Sequence, residues 1–268
     1  MKQLKLLMLS ALMLLMGVSF TSCLDSNDSE NTFDYVGLVL VRGSMGITAF
    51  EDAVGNMFYV SQSSVTQWEA NNSSKLSDYQ FGQAYLKFIE TGNGEKATAS
   101  ETEPSTYQVD LVAFSPCEYA AATMATNSEN MDEVAPETSP VISMAPDNLS
   151  PWQYSSNLIV MPLQWRLENS AEAFKKHHLV LVYVADEIEA DDTELTLYLR
   201  HNNGGDEKTE VYYANYYAYD ITMPLSLFYS KTGKKPTRLI IKGHESGTYS
   251  DTMPTTYSEY TIDYKVSK

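Results

Sequence analysis

The chain has 268 residues and a formal net charge of −17 at pH 7, from 35 acidic and 18 basic side chains. Affinity for nucleic acid depends on lysine and arginine neutralising phosphates, so this charge argues against a DNA or RNA partner. It also disfavours binding flat on an anionic lipid surface. The length leaves room for two small domains or one large one.

The first 22 residues have the pattern of a secretion signal. Lys2 and Lys5 precede an apolar run from Leu6 to Val18, which is too short to span a hydrocarbon core roughly 30 Å thick. Thr21-Ser22 directly before Cys23 resembles the lipobox, at which bacterial lipoproteins are lipidated and cut. We therefore predict that residues 1–22 are removed as a lipoprotein signal peptide and that Cys23 carries the lipid.

The predicted anchor determines how the protein meets the membrane. Cleavage before Cys23 leaves 246 residues with a net charge of −19, because two lysines leave with the signal. Several acyl chains on one cysteine give stable anchoring, so we expect membrane contact through the lipid alone. Residues 23–32 are polar and acidic and are predicted to form a flexible tether. This tail resembles the export signal of Bacteroidetes surface lipoproteins, which implies a surface-exposed protein on the outer membrane.

Short strand patterns fill the first half of the chain. Five candidates fall within about 80 residues with no convincing helix between them. Ser61–Tyr79 has the composition of a loop, with a single helical turn as the alternative. The candidates are 35–42, 47–51, 57–60, 83–90 and 107–114. A small, partly open barrel closes that many strands and hides their edges. We therefore predict a five-stranded, OB-like β-barrel over residues 33–117.

No strand pattern continues between residues 118 and 153, where four prolines occur among Ala, Thr, Ser, Asn and Glu. A structureless loop of that length is uncommon inside a compact domain, so this region is predicted to be an irregular linker, with a short strand at Pro140–Met144 as an additional candidate. Beyond it lie six strand candidates, at 158–166, 178–185, 193–201, 210–221, 237–242 and 257–266. Clean period-two alternation in several of them predicts an antiparallel β-sandwich over residues 154–268 and an all-β fold class.

One stretch of the second half carries a family resemblance. Leu199-Arg200-His201-Asn202 leads into a glycine turn, and it follows a lipobox and two all-β halves. This combination resembles the NigD-like lipoproteins of Bacteroides and its relatives. The resemblance implies an N-terminal OB-type barrel followed by a C-terminal β-sandwich, and it implies no catalytic residues. The tail after Cys23 is less acidic here than in that family, and Glu118–Asn148 is longer.

No group of residues has the spacing of a catalytic or metal site. His177 and His178 point to opposite faces if both lie on a strand, so they do not share a metal easily. The acids of Asp186–Asp192 lack the spacing of a calcium loop and are predicted to be solvated, with a weak calcium site as the alternative. Gly243–Gly247 places its serine one position late for a hydrolase elbow. We therefore predict no enzyme, no cofactor and no metal.

Tyrosine is unusually frequent near the C-terminus, where ten of the nineteen lie between Tyr212 and Tyr264. Ordinary strand filling is the favoured interpretation. The alternative is an exposed contact surface for a glycan or a protein, made by Tyr212, Tyr216, Tyr217 and Tyr219. Asp251-Thr252-Met253 resembles a short O-glycosylation acceptor, which makes Thr252 a candidate modification site.

These observations lead to one functional hypothesis with two alternatives. The leading hypothesis is a non-enzymatic envelope lipoprotein that acts as a binding or interaction module for an unknown envelope protein or glycan. The first alternative is a glycan-binding surface protein, which depends on the tyrosine-rich strands. The second is a bacteriocin-associated accessory or immunity factor, which depends only on the family name.

Overall fold

A computed structural model describes residues 33–44, 46–89, 99–206, 210–247 and 252–266. The signal peptide, the tether and Cys23 lie outside these residues, so their cleavage and lipidation stay predictions. The described residues form two compact units, one ending at Glu118 and the other beginning at Tyr119.

The first unit is a closed five-stranded barrel. Its strands are β1 (Tyr35–Ser44), β2 (Ile47–Glu51), β3 (Met57–Val60), β4 (Phe81–Phe88) and β5 (Thr106–Pro116). They close in the order β1-β2-β3-β5-β4, with β4 paired back onto β1 and with β3 and β5 parallel. Phe50, Phe58 and Leu86 fill its centre and are fully buried. The OB-like barrel predicted from the strand pattern is confirmed.

The stretch predicted as a loop between β3 and β4 contains a helix, α1 (Gln62–Asn72). Ser61 caps it, since its side chain accepts a hydrogen bond from the Ser64 amide. Trp68 packs edge-on against Phe114 with ring centroids 5.8 Å apart. The helix has only three buried residues, so its sequence shows almost no apolar stripe. That absence explains why periodicity does not reveal it.

The second unit contains two sheets. Its strands are β6 (Glu118–Ala121), β7 (Thr123–Ala125), β8 (Trp152–Ser155), β9 (Leu158–Leu167), β10 (His178–Val184), β11 (Glu194–Asn202), β12 (Val211–Asp220), β13 (Arg238–Gly243) and β14 (Ser258–Asp263). One sheet has the order β14-β13-β11-β10-β7 and the other β6-β12-β9-β8. Residues such as Trp165, Leu181 and Tyr219 share one core, as expected for a sandwich. Two pairs, β7 with β10 and β11 with β13, are parallel, so the sandwich is mixed and not wholly antiparallel.

The segment 118–153, expected to be an irregular linker, contributes strands to both sheets. Its first strand, β6, lies in the four-stranded sheet, and β7 lies in the five-stranded sheet. A short helix, α2 (Met131–Val134), follows, and isolated bridges join Val141 to Glu245 and Ser143 to Gln164. The expectation was wrong because strands of three or four residues are specified by distant pairing partners, which local composition does not show.

Two further helices connect strands of the sandwich. They are α3 (Ala171–Lys176) and α4 (Thr222–Thr232), and α4 ends at Gly233, which adopts a left-handed φ of 70°. Phe228 on α4 is fully buried in the sandwich core. Within the part of the chain that the structure describes, no helix has the length and apolar character needed to cross a membrane.

Candidate functional site

A cleft lies between α4 and the edge strand β7. Its volume is about 220 Å³. It is lined by Met124, Tyr183, Met223, Ser226, Leu227 and Ser230. Met124 is 50% exposed and Met223 is 63% exposed, whereas Tyr183 is buried. Methionine side chains are flexible and polarisable, so these two can adapt to the shape of an apolar partner.

The sequence of α4 explains why this face is apolar and exposed. Phe228 fixes the inner side of the helix in the core, which turns Met223 and Tyr229 outward, and Tyr229 is 57% exposed. No charged residue occurs between Thr222 and Ser230. Exposed apolar side chains grouped together are typical of contact surfaces, whereas single ones are ordinary.

The C-terminal end of α4 is held in place by a lysine. Lys231 Nζ donates to the carbonyl oxygens of Ala185 at 2.7 Å and Ile188 at 3.3 Å. The adjoining acidic loop is also internally bonded, since Glu187 accepts from the Tyr198 hydroxyl at 2.7 Å and Asp192 from the Glu189 amide at 2.7 Å.

No group of three or more His, Cys, Asp or Glu residues suited to a metal ion occurs among the described residues.

The tyrosines proposed as a contact surface do not form one. Tyr212 is 58% exposed, but Tyr216 and Tyr217 are buried and Tyr219 is fully buried. Tyr217 and Tyr219 point into the sandwich core, and Tyr216 packs edge-on against Trp152 with ring centroids 5.8 Å apart. This alternative is wrong because the second half of β12 is buried on both faces, with Tyr216 on one face and Tyr217 and Tyr219 on the other. The glycan hypothesis loses the surface that motivated it.

Two other sequence candidates have different outcomes. Glu245, within the glycine-flanked stretch, accepts hydrogen bonds from the Met144 amide and from the Tyr260 hydroxyl. It therefore joins β14 to the segment before β8, which is a structural role. Thr252 is exposed at a bend, and Asp251 lies outside the described residues. Glycosylation of Thr252 stays a prediction.

A charged cluster lies on the outer side of the five-stranded sheet. Arg200 is buried and pairs with Asp132 and with Glu137, whose Oε2 lies 3.4 Å from the guanidinium. His244 Nδ1 lies 3.1 Å from the same carboxylate oxygen, and its ring stacks on Tyr257 with centroids 4.2 Å apart. Burial raises the pKa of Glu137, while His244 and Arg200 oppose this. The cluster ties α2 and its flanking segment to the sheet.

A second cluster is buried near the β11–β12 turn. Of the four histidines in the sequence, His177 and His201 come together, whereas His178 is exposed and His244 contacts Glu137. His177 Nδ1 lies 2.9 Å from His201 Nε2, and His177 Nε2 lies 3.1 Å from Asp206 Oδ2. Sequence reasoning missed this arrangement because Asp206 lies 29 residues from His177 and meets it only in the folded sheet.

Solved structures from Bacteroides and Parabacteroides species share this architecture. A candidate lipoprotein from Bacteroides fragilis NCTC 9343 is 23% identical, with a TM-score of 0.67 over 87% of this chain and 99% of that chain. A NigD-like immunity protein from Bacteroides caccae ATCC 43185 is 14% identical, with a TM-score of 0.54 over 84% of this chain and 96% of that one. The chain has a NigD-like fold. The predicted resemblance is thereby confirmed in its architecture.

A third structure with the NigD-like fold is a candidate toxin-related protein from Parabacteroides distasonis ATCC 8503. It is 13% identical and has a TM-score of 0.55, covering 86% of this chain and 92% of that chain. At such identities the likeness concerns the fold and assigns no activity. No family model matches the sequence, and no curated protein matches it.

Proposed function

We propose that this protein is a lipid-anchored, non-enzymatic component of the bacterial cell envelope that binds another protein. The lipobox pattern at Cys23 supports the anchor. So does the similarity of the fold to a candidate lipoprotein that is matched over 99% of its chain. The acidic residues after Cys23 support a place on the outer membrane with the folded units exposed at the cell surface.

The single observation that carries the binding role is the cleft between α4 and β7. Its rim exposes Met124 and Met223, and its volume of about 220 Å³ gives room for a large apolar side chain. The occupant we propose is therefore an apolar side chain on the surface of an envelope protein. Because the stretch of α4 at the cleft carries no charge, burial of apolar area is the main driving force for binding. The same lack of charge lets an acidic partner approach this acidic chain without direct repulsion at the cleft.

Two features of the described residues support a non-enzymatic role. The histidine cluster resembles part of a catalytic relay, but His201 Nδ1 faces the Pro140 carbonyl oxygen at 3.2 Å. A carbonyl oxygen provides no proton and no nucleophile, so the row of groups ends without a reactive atom. In the Arg200 cluster, the carboxylates of Asp132 and Glu137 likewise form ion pairs within the fold.

Photo-crosslinking in living cells tests the binding role. A photoreactive residue at Met223 should form a covalent adduct with one envelope protein, because that side chain stands on the rim of the cleft. The same residue at Ile47, which is 57% exposed in the barrel, is the matched control and should not form that adduct. With the purified partner, Met223→Glu should weaken binding at least about tenfold, and Ile47→Glu should leave it unchanged. Equal adducts from both positions, or none from Met223, would contradict the proposal.

A second candidate function is protection against a secreted toxin. It is favoured by the similarity in fold to the Bacteroides caccae protein described as a NigD-like immunity protein. If the cleft serves that role, deletion of the gene should make cells more sensitive to the cognate bacteriocin. Complementation should succeed with the unaltered gene and fail with the Met223→Glu variant. Unchanged sensitivity on deletion would leave the envelope-binding role as the sole candidate.

A further inference from the structure

Three groups form a buried row with a hydrogen-bond acceptor at each end. Asp206 Oδ2 lies 3.1 Å from His177 Nε2, and His177 Nδ1 lies 2.9 Å from His201 Nε2. His201 Nδ1 lies 3.2 Å from the Pro140 carbonyl oxygen. The exposed fractions of His177, His201 and Asp206 are 7%, 1% and 3%, so water does not replace these contacts.

Each member of the row comes from a different element. His177 follows the last residue of α3, His201 lies on β11, and Asp206 closes the turn between β11 and β12. Asp206 Oδ2 also accepts a hydrogen bond from the Glu168 amide at 2.8 Å. The row therefore fastens a turn, a helix end and the segment at Pro140 to one another.

The number of protons in the row follows from its acceptors. Each of the three contacts needs one hydrogen, and two neutral imidazoles carry only two hydrogens between them. With Asp206 ionised, two neutral histidines would leave one of the three contacts with two lone pairs facing each other and no hydrogen between them. A third proton fills every contact and makes the row electrically neutral. This holds whether that proton resides on His177 beside a carboxylate or on Asp206 itself.

We propose that Asp206, His177 and His201 form a buried proton-binding site that holds one shared proton at neutral pH. The proton lies in the contact between Asp206 and His177, and His201 remains a neutral imidazole. The site stabilises the β11–β12 turn against α3 and against the segment at Pro140 only while the proton is bound.

The surroundings of the two rings agree with this assignment. Burial, followed by the neighbouring His177, lowers the pKa of His201 to about 4, which keeps that ring neutral. Burial also lowers the pKa of His177, with smaller contributions in the same direction from His178 and Lys176. The hydrogen bond and the charge of Asp206 oppose that shift. We assign the third proton from the three contacts, each of which needs a hydrogen, and not from these pKa shifts.

The site predicts a stability maximum. Unfolded histidines titrate near pH 6.5. Above that pH the unfolded chain releases both histidine protons while the folded chain keeps one, so stability falls as the pH rises. Below it the unfolded chain takes up two protons and the folded chain holds one until about pH 4, so stability also falls as the pH drops. If both histidines were neutral in the folded chain, the free energy of unfolding would increase as the pH rises through 6.5 and would stay level above it.

Denaturant unfolding of the mature chain at pH 6.5, 7.5 and 8.5 tests the proposal, with Asp206→Asn as the comparison. The asparagine NH2 group supplies its own hydrogen to His177 Nε2, so the variant fills the row without an extra proton. It loses the hydrogen bond that Asp206 Oδ2 accepts from the Glu168 amide, a cost that does not depend on pH in this range. We compare the ratio of the two unfolding constants, that of the unaltered chain divided by that of Asp206→Asn. We expect this ratio to rise by up to about tenfold for each unit by which the pH increases. A ratio that stays constant or falls would overturn the proposal.

A spectroscopic measurement on the unaltered chain keeps the test decisive if Asp206→Asn does not fold. Nitrogen and carbon NMR at pH 7.5 should show either one imidazolium ring with both nitrogens protonated or a protonated Asp206 carboxyl. Two neutral imidazoles beside an ionised Asp206 would overturn the proposal. The exposed His178 provides an internal reference signal from a solvent-accessible imidazole.

Discussion

Replacing Tyr219 by alanine is expected to lower the free energy of unfolding of the sandwich by about 3–5 kcal/mol, as for other large aromatic side chains removed from a core. Tyr219 is fully buried among the residues of both sheets. Tyr212→Ala on the same strand is the matched control and should change that free energy by less than about 0.5 kcal/mol, because Tyr212 is 58% exposed. Urea unfolding of both variants measures the difference.

A conservative variant separates packing from hydrogen bonding at the same position. The Tyr219 hydroxyl donates to the Leu179 carbonyl oxygen at 3.0 Å. Tyr219→Phe keeps the ring and loses this bond, so it should cost about 1 kcal/mol. Similar costs for Tyr212→Ala and Tyr219→Ala would show that the tyrosines of β12 do not divide into a buried and an exposed set.

Replacing Arg200 by methionine is expected to cost about 3–5 kcal/mol of unfolding free energy, the range for breaking one side of a buried ion pair. The Glu137 side chain is only 5% exposed and would lose its arginine partner, keeping only the contact with the His244 ring. The Arg200 guanidinium also donates to the Ala135 carbonyl oxygen at 3.0 Å, and that bond would be lost as well. Denaturant unfolding at neutral pH measures the cost.

The pH dependence of this variant identifies Glu137 as the cause. Burial raises the pKa of Glu137, and Arg200 is one of the groups that oppose this, so removing Arg200 raises it further. The penalty of burying the carboxylate is present above its folded pKa and shrinks as the pH falls toward the value in the unfolded chain. The double variant Arg200→Met with Glu137→Gln should recover much of the loss at neutral pH. A double variant no more stable than the single one would contradict this explanation.

The sequence predicts the architecture well because period-two alternation is a local signal. The barrel strand β4 and the strands β11 and β14 show two distinct faces in the sequence, whereas the other barrel strands are found as short β-forming runs. The parallel pairing of β11 with β13 is not visible. It arises because β12 crosses to the other sheet and α4 returns the chain, which is a property of topology.

The faces of β12 show where local reasoning ends. Alternation correctly separates Tyr216 from Tyr217 and Tyr219, but it does not tell whether the second face is covered. Trp152, 64 residues earlier in the chain, packs against Tyr216 and helps to cover that face. Burial of a strand on both sides depends on such distant partners.

The cleft and the buried proton site are also products of tertiary structure. The only local sign of the cleft is the charge-free stretch from Thr222 to Ser230, which pairs with Met124 from a segment expected to be irregular. The proton site depends on the close approach of Asp206 and Pro140 to two histidines that are 24 residues apart. No periodic pattern in the sequence predicts these contacts between distant residues.

The measurement that tests the central claim most directly is intact mass spectrometry of the protein extracted from cell membranes. Anchoring at Cys23 predicts a chain that begins at Cys23 and carries acyl groups on it. Cys23→Ser should correspondingly shift the protein out of the membrane fraction. A chain that retains residues 1–22, or a mature chain with an unmodified Cys23, would contradict the account of a lipid-anchored binding protein.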